Sequence, residues 1–260
     1  MNRRITDLSG ARILVTNDDG VNARGIELLA RVARSLSDDV WIVAPAQEQS
    51  GAGHSLTLRR PLRMKKLEDR RYSVDGTPTD SVLMAVGHLL KEHKPDLVLS
   101  GINRGGNLGE DMTYSGTVAA AMEATLLGVP AIAMSQVYES GGHPDWDVAE
   151  HHAPPLIRSL ADSGWPDGVL ININFAAGPL DSVKGVRVVS LGRRKIGDHL
   201  EERHDPRGVP YYWIGPMRDE SPNHPDTDLA AVLDGYVAVT PVHLDLTDRP
   251  TIDMLKPSIE

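Results

Sequence analysis

The chain has 260 residues, a formal charge of −9 and no cysteine. That length allows one large domain or two small ones, burying roughly 70–75% of the surface of the unfolded chain, and the lack of cysteine excludes disulfides, thiolate metal sites and a cysteine nucleophile. The acidity argues against a binder of the nucleic-acid backbone, the single phenylalanine, Phe175, argues against a base-stacking platform, and no apolar run approaches the roughly 20 residues of a membrane helix. Met1-Asn2-Arg3-Arg4 carries charge without a following apolar stretch, so no signal peptide is expected and a cytoplasmic location is.

The first element is Ile13-Leu14-Val15-Thr16, which reads as a buried strand of a parallel sheet. It breaks into Asn17-Asp18-Asp19-Gly20, which is turn chemistry. A helix over 25–36 follows, with Ile26, Leu29, Ala30, Ala33 and Leu36 on one face. Two adjacent carboxylates thus stand at the carboxyl end of a strand, the place where open α/β sheets bind ligands. They repel unless a cation or a proton lies between them. Oxygen donors of this kind suit magnesium or manganese, and the same residues also read as a solvated Asp-Gly turn.

Val40–Ala44 is the next strand, ended by Pro45 and followed by a polar, glycine-rich loop over 46–55. Segments 56–64 and 70–74 are expected to pair as a hairpin beside the main sheet. Thr77 and Pro78 read as an N-cap and a first helical position, opening a helix to about Leu90. Pro95 resets the chain into a buried strand over 96–100, which ends in a glycine- and asparagine-rich loop over 101–109. A helix over 116–127 is closed by Gly128 and Pro130, and 131–135 is a further strand. This strand–helix–strand rhythm indicates a doubly wound α/β core. Beyond it, Trp146–Leu160 reads as helix, with Pro154-Pro155 breaking it or starting a new turn. Segments 169–174 and 186–190 read as strands, 228–233 as a short helix and 236–241 as a last strand. The organisation expected is an α/β core over 1–192 carrying the site, a projecting arm over 193–228 suited to an oligomer contact, and a returning helix, strand and tail over 229–260.

Three loops leave strand ends near the Asp pair in this topology, carrying Ser50, Asn103, and Ser115-Gly116-Thr117. Asp18, Asp19, Ser50 and Asn103 together would supply an all-oxygen shell for a metal. The helix start at 115–117 offers unpaired N–H groups that suit a phosphate. Singly, Ser115 and Thr117 also read as helix caps, and Ser50 and Asn103 as loop residues. The glycines of 101–109 match neither the dinucleotide fingerprint nor a Walker A loop. Neither His-Glu-x-x-His nor Gly-x-Ser-x-Gly occurs, which disfavours a zinc protease or a serine esterase. His54, close to Ser50, reads as a proton donor or as a plain loop residue.

These motifs, in order, are Ile13–Gly20, Ala44-Pro45 with Gln49-Ser50-Gly51, Gly76–Asp80, Ser100–Asn103 with Gly106–Gly109, Tyr114–Ala120, and Thr227-Asp228 with Thr240-Pro241. Together they resemble SurE, the stationary-phase survival protein family of metal-dependent 5'-nucleotidases, over most of the chain. The resemblance implies a Rossmann-like, doubly wound, mostly parallel sheet in three α/β/α layers with an irregular C-terminal extension. It implies one divalent cation, Mg2+ or Mn2+, held by Asp18, Asp19, Ser50 and Asn103, and a homodimer or homotetramer. It also implies hydrolysis of nucleoside monophosphates, with 3'-nucleotides and short polyphosphate as further candidates. Asp18 and Asp19 would be the catalytic pair, and Asn103, Asn107, Ser115, Gly116 and Thr117 would hold the phosphate. No nucleic-acid polymer and no membrane are expected as partners. Arg24 stands where the family often has proline, Ala46 where it often has aspartate and Ser81 where it often has cysteine; none is a proposed ligand. Two other readings remain open at this point: a covalent aspartyl-phosphate on Asp18, which the adjacent rather than alternating Asp-Asp disfavours, and a nucleotide-sensing module without turnover.

Overall fold

The apolar run at the start of the chain becomes β1 (Arg12–Thr16), and Ile13, Leu14 and Val15 have no exposed surface at all. A strand buried on both faces needs a layer on each side, and the computed structural model supplies them. The structure describes residues 4–139, 141–194, 200–214 and 224–259. The expectation for residues 1–3 and parts of the expected arm, 195–199 and 215–223, lie outside these.

In chain order, β1 is followed by α1 (Arg24–Arg34), β2 (Asp39–Pro45), β3 (Met64–Glu68), β4 (Arg71–Val74), α2 (Pro78–Met84), β5 (Leu97–Arg104), α3 (Gly116–Leu126), β6 (Ala131–Gln136), α4 (Trp146–Ser163), β7 (Val169–Phe175), β8 (Val186–Val188), β9 (Leu200–His204), β10 (Pro210–Ile214), α5 (Asp228–Leu233), β11 (Val237–His243) and α6 (Arg249–Ile259). Among the described residues nine strands form one sheet in the order β3-β4-β2-β1-β5-β6-β7-β11-β8. Pairing is parallel from β4 through β7 and antiparallel at β3–β4 and β7–β11. Ile13 and Val15 face α1 and α4 in one apolar cluster, while Leu14 faces α2 and α3 in another. The period of two along a strand thus builds a three-layer α/β/α sandwich of the Rossmann-like, doubly wound type. The chain leaves β1 toward β2 on one side and returns to β5 on the other, so the carboxyl end of β1 lies at a switch point.

Several local expectations are corrected. The hairpin expected beside the main sheet is β3–β4 and forms that sheet's own edge through the pairing of β4 with β2, and 56–63 is not a strand. Thr57 donates both its N–H (3.0 Å) and its hydroxyl (2.6 Å) to the Asp80 carboxylate, and Pro61 has no N–H to give a ladder. The helix expected to run from Pro78 to Leu90 turns π-helical over Ala85–Leu89. The strand expected to stop at Ser100 continues to Arg104, with a register shift against β6 between Ser100 and Asn103. Pro154 and Pro155 do not interrupt α4. The carbonyls they leave unpaired belong to Glu150 and His151, both exposed and open to water, while Ala153 and Ile157 stay packed on the sheet. The segment expected to end the chain as a tail contains α6, which buries no residue.

β9 and β10 form a separate two-stranded antiparallel sheet, pairing Pro210 with His204 through Ile214 with Leu200, all exposed. The C-terminal part is tied back to the core by Asp228, which has no exposed surface. Its carboxylate accepts the N–H groups of Gly109 (2.8 Å), Gly192 (2.7 Å) and Leu229 (2.8 Å). Asp228→Asn would set an amide N–H2 against one of these donors. We expect it to lower the unfolding free energy by roughly 3 kcal/mol in a urea titration.

Candidate functional site

Asp18 and Asp19 follow directly on β1. Asp18 is buried, 4% exposed, and Asp19 is half-buried. Burial pushes the Asp18 carboxyl above its ordinary value, against the opposing pull of the Thr117 hydroxyl, and the Glu48 charge adds to the rise. Asp19 is pushed up to about 6, first by burial and then by the Asp18 charge, while the Arg104 backbone N–H pulls the other way. The protein therefore stabilises the ionised forms of both groups less well than water does.

Two later loops are bonded to this pair through the neighbours of the expected ligands. The N–H of Gln49, next to Ser50, donates to the Asp18 carbonyl at 2.8 Å. The N–H of Arg104, next to Asn103, reaches the Asp19 Oδ2 at 3.4 Å. Ser50 is exposed and its hydroxyl donates to Glu48 at 2.9 Å, leaving the oxygen's lone pairs free to face a cation. Asn103 donates from Nδ2 to the Gly105 carbonyl at 2.9 Å, so its acceptor, Oδ1, is the atom left for other contacts.

The start of α3 closes over the pair. Thr117 donates its hydroxyl to Asp18 Oδ1. Gly116 is required by this approach: a Cβ there would lie 2.7 Å from Asp18 Cβ and 3.1 Å from Pro78 Cγ. Ser115 caps the helix, its Oγ accepting from the Val118 N–H at 3.1 Å, and its own hydrogen remains available to donate. Asn107 is placed differently. It lies in a buried network, donating from Nδ2 to Ser135 Oγ (2.8 Å) and from its N–H to Asn174 Oδ1 (2.8 Å). Its carbonyl accepts from Asn172 and Asn174. No hydrogen bond among the described residues links it to Asp18 or Asp19.

Two contributors, Glu48 and Arg104, are not singled out from the sequence, and a third residue, His54, is left open there as a proton donor or a loop residue. Glu48 places a third carboxylate whose charge acts on both aspartates; its position two residues before Ser50 was the available signal. Arg104 acts through backbone and charge on Asp19. His54 pairs with Glu123 of α3 at 2.9 Å, fastening the 46–55 loop to the helix.

The donor set can be tested against a hard divalent cation. Among the described residues no three His, Cys, Asp or Glu side chains cluster as a cage, so two carboxylates and neutral oxygens would have to serve. A buried and a half-buried carboxylate side by side, both pushed toward their neutral forms, are what a divalent charge would relieve. In the residue before them, Asn17, Oδ1 is buried without a hydrogen-bond partner among the described residues, and Nδ2 is engaged by the Gly20 carbonyl. The residues fit such an ion. Thr117→Val removes the hydroxyl that favours ionised Asp18, so its carboxyl would rise further and protons would compete with the cation to higher pH. We expect Mn2+ affinity at pH 7 to fall about ten-fold, read by calorimetric titration.

Comparison with known proteins bears on this site. The family model described as Survival protein SurE matches residues 13–198. A protein from Paramagnetospirillum magneticum named 5'-nucleotidase SurE is 58% identical over 252 residues, covering 97% of this chain and 97% of its own. One of the same name from Rhodospirillum rubrum is 57% identical, covering 96% of this chain and 97% of its own. The crystal structure of the SurE protein from Aquifex aeolicus superposes with a TM-score of 0.83 at 39% identity, over 96% of this chain and all of that one.

Proposed function

The chain belongs to the SurE family, and from that membership we propose the reading that follows. It is a 5'-nucleotidase, a phosphoric monoester hydrolase, as its relatives are named. Its reaction depends on a single divalent cation, Mg2+ or Mn2+, and its substrates are nucleoside 5'-monophosphates. The observation that carries this is the Asp18–Asp19 pair, one member buried and the other half-buried, at the switch point of the sheet and against the first turn of α3.

In this reading Asp18, Asp19, Ser50 Oγ and Asn103 Oδ1 hold the cation. When bound there, such an ion polarises a phosphate oxygen and makes a water a better nucleophile near neutral pH. Asp18, fixed by Thr117, is the rigid member of the pair. Asp19, less buried and with its carboxyl at about 6 in the bare protein, orients the attacking water and accepts its proton. The N–H groups opening α3, with the Ser115 hydroxyl, face the remaining phosphate oxygens and take up their charge. Asn107, its side-chain donor engaged with Ser135, serves by holding the 105–109 loop against β7.

The protein would act as a homodimer or homotetramer. The exposed Tyr211 and Trp213 on one face of β10, and Tyr212 and Ile214 on the other, are apolar surface that such an assembly would cover. No helix among the described residues is long and apolar enough to cross a membrane. Activity on 3'-nucleotides and short polyphosphate, and a cytoplasmic setting, belong to the same proposal. The direct test is phosphate release from a panel of nucleoside 5'-monophosphates with Mn2+, with Mg2+ and with EDTA. Release with either metal and none with EDTA is expected; undiminished release in EDTA would remove the cation from the reading.

A further inference from the structure

We propose that the cleft between the carboxyl ends of β2 and β4 receives the nucleoside part of the substrate. This rests on the phosphomonoesterase reading above and adds where the leaving group is recognised. The cleft is a cavity of about 270 Å³, lined among others by Gln47, Gln49, Thr57, Arg60, Val74 and Thr77. That is near the lower end of small-molecule sites, roughly 300 Å³, and so suits one moiety of a ligand anchored elsewhere.

Position is the first argument. β4, β2 and β1 are neighbours and parallel, so the cleft and the Asp pair lie on the same edge of the sheet. Adjacent strands are about 4.8 Å apart, which puts the cleft within one or two strand spacings of Asp18. One wall is bonded to the aspartate, and the other meets it across Gly116. Gln49 lines the cleft and donates its N–H to the Asp18 carbonyl at 2.8 Å. On the other wall Thr77 precedes Pro78, whose ring closes on the same Gly116 position that Asp18 Cβ crowds. A ligand with its phosphate at the Asp pair would extend into this cleft.

The lining selects against a second anion. Asp75 lines the cleft as well, and its Oδ1 lies 3.3 Å from Arg60 Nη1, so the one guanidinium there already faces a carboxylate. What remains is neutral and polar: two glutamine amides, each both donor and acceptor, and two threonine hydroxyls, beside Val74 and Ala46. Donors and acceptors around a small apolar floor match the ribose hydroxyls and base edge of a nucleoside. The walls are set before any ligand arrives. Buried Asp80 accepts from Thr57 at 3.0 and 2.6 Å and from the Thr77 N–H at 2.9 Å, and its own N–H donates to Thr77 Oγ1 at 3.0 Å.

The test compares Gln47→Ala and Gln49→Ala with the wild type, the two glutamine side chains that line the cleft. Steady-state kinetics are measured with Mn2+ on AMP and on p-nitrophenyl phosphate, which has neither ribose nor base edge. Inhibition of p-nitrophenyl phosphate turnover by adenosine is a second readout. The expected result is a rise in KM for AMP, a fall of about ten-fold in the ratio of kcat/KM for AMP to that for p-nitrophenyl phosphate, and weaker inhibition by adenosine. An unchanged ratio and unchanged inhibition in both variants overturn the cleft as the nucleoside site while leaving the enzyme a phosphomonoesterase. Failure of the wild type to release phosphate from either compound overturns the phosphomonoesterase reading, and the cleft with it.

Discussion

Asp19→Asn is expected to lower phosphate release from AMP by about 10³-fold at pH 7.5, and to raise the melting temperature in EDTA. The loss of rate follows from removing one of the two negative charges and the only proton acceptor of the pair that is not deeply buried. The gain in stability follows from linkage. The Asp19 carboxyl stands at about 6 in the folded protein, against 3.8 as the ordinary value. Its raised value means the folded state prefers the protonated form. That contribution to stability is fully present below about 4 and is lost as pH rises through 6. At pH 7.5 the bare folded protein therefore carries an ionised group in surroundings that disfavour it, and asparagine does not. The difference in melting temperature should shrink as pH falls toward 5, and should disappear or reverse for the wild type once Mn2+ is added at pH 7.5. A variant with wild-type activity, or one less stable than wild type in EDTA at pH 7.5, contradicts the assignment.

The largest effect on folding is expected from Gly25→Ala, near the start of α1. A Cβ at this position would lie 1.9 Å from the Ile102 carbonyl oxygen and 3.0 Å from its carbon. Both are backbone atoms of β5, so no side-chain rotation relieves the contact. Either α1 lifts from the sheet, or β5 moves at the residue beside Asn103. We expect a loss of about 3 kcal/mol or more in unfolding free energy. Because the strained segment carries one of the expected cation ligands, Mn2+ binding should weaken in whatever fraction remains folded. Urea titration with and without Mn2+ measures both, and a variant of wild-type stability would show that helix and strand are less closely fixed.

Much of this fold could be read from short-range signals. β1, β2, β6 and β7 are apolar runs bounded by turn residues, and α3 begins with a serine cap and ends before Gly128 and Pro130. The failures share a cause. Segment 101–104 looked like loop because of its glycine and asparagine, yet β6 lies alongside and pairs with Asn103 and Arg104. Pro154-Pro155 looked like a break because their cost is local, whereas the packing of Ala153 and Ile157 that offsets it is not. α6 does carry a local signal: Asp248 accepts from the Thr251 N–H at 3.1 Å, and Pro250 sits in the first turn.

The candidate site divides in the same way. An aspartate pair ending a buried strand is visible in eight consecutive letters. That Thr117 bonds Asp18, 99 positions away, is not. Nor does the sequence reveal that Asn107 turns inward to Ser135 and β7 rather than toward the aspartates. Both depend on how the segments leaving β1 and β5 settle on the strands beside them, which is a property of the assembled sheet.

The strand order has a further consequence, for the time course of biosynthesis. Every proposed donor, from Asp18 to Thr117, has been made before the ribosome reaches β6, but β1 becomes an interior strand only when β5, starting 81 residues after its last residue, closes beside it. Until then the nascent chain carries its acidic residues on an open edge, and parallel pairings over such a separation form slowly. While residue 117 is being added, β5 is still inside the ribosomal exit tunnel and cannot close beside β1, so a nascent chain stalled there should contain all the letters of the cation site and still fail to bind Mn2+, whereas a chain released past β7 should bind it.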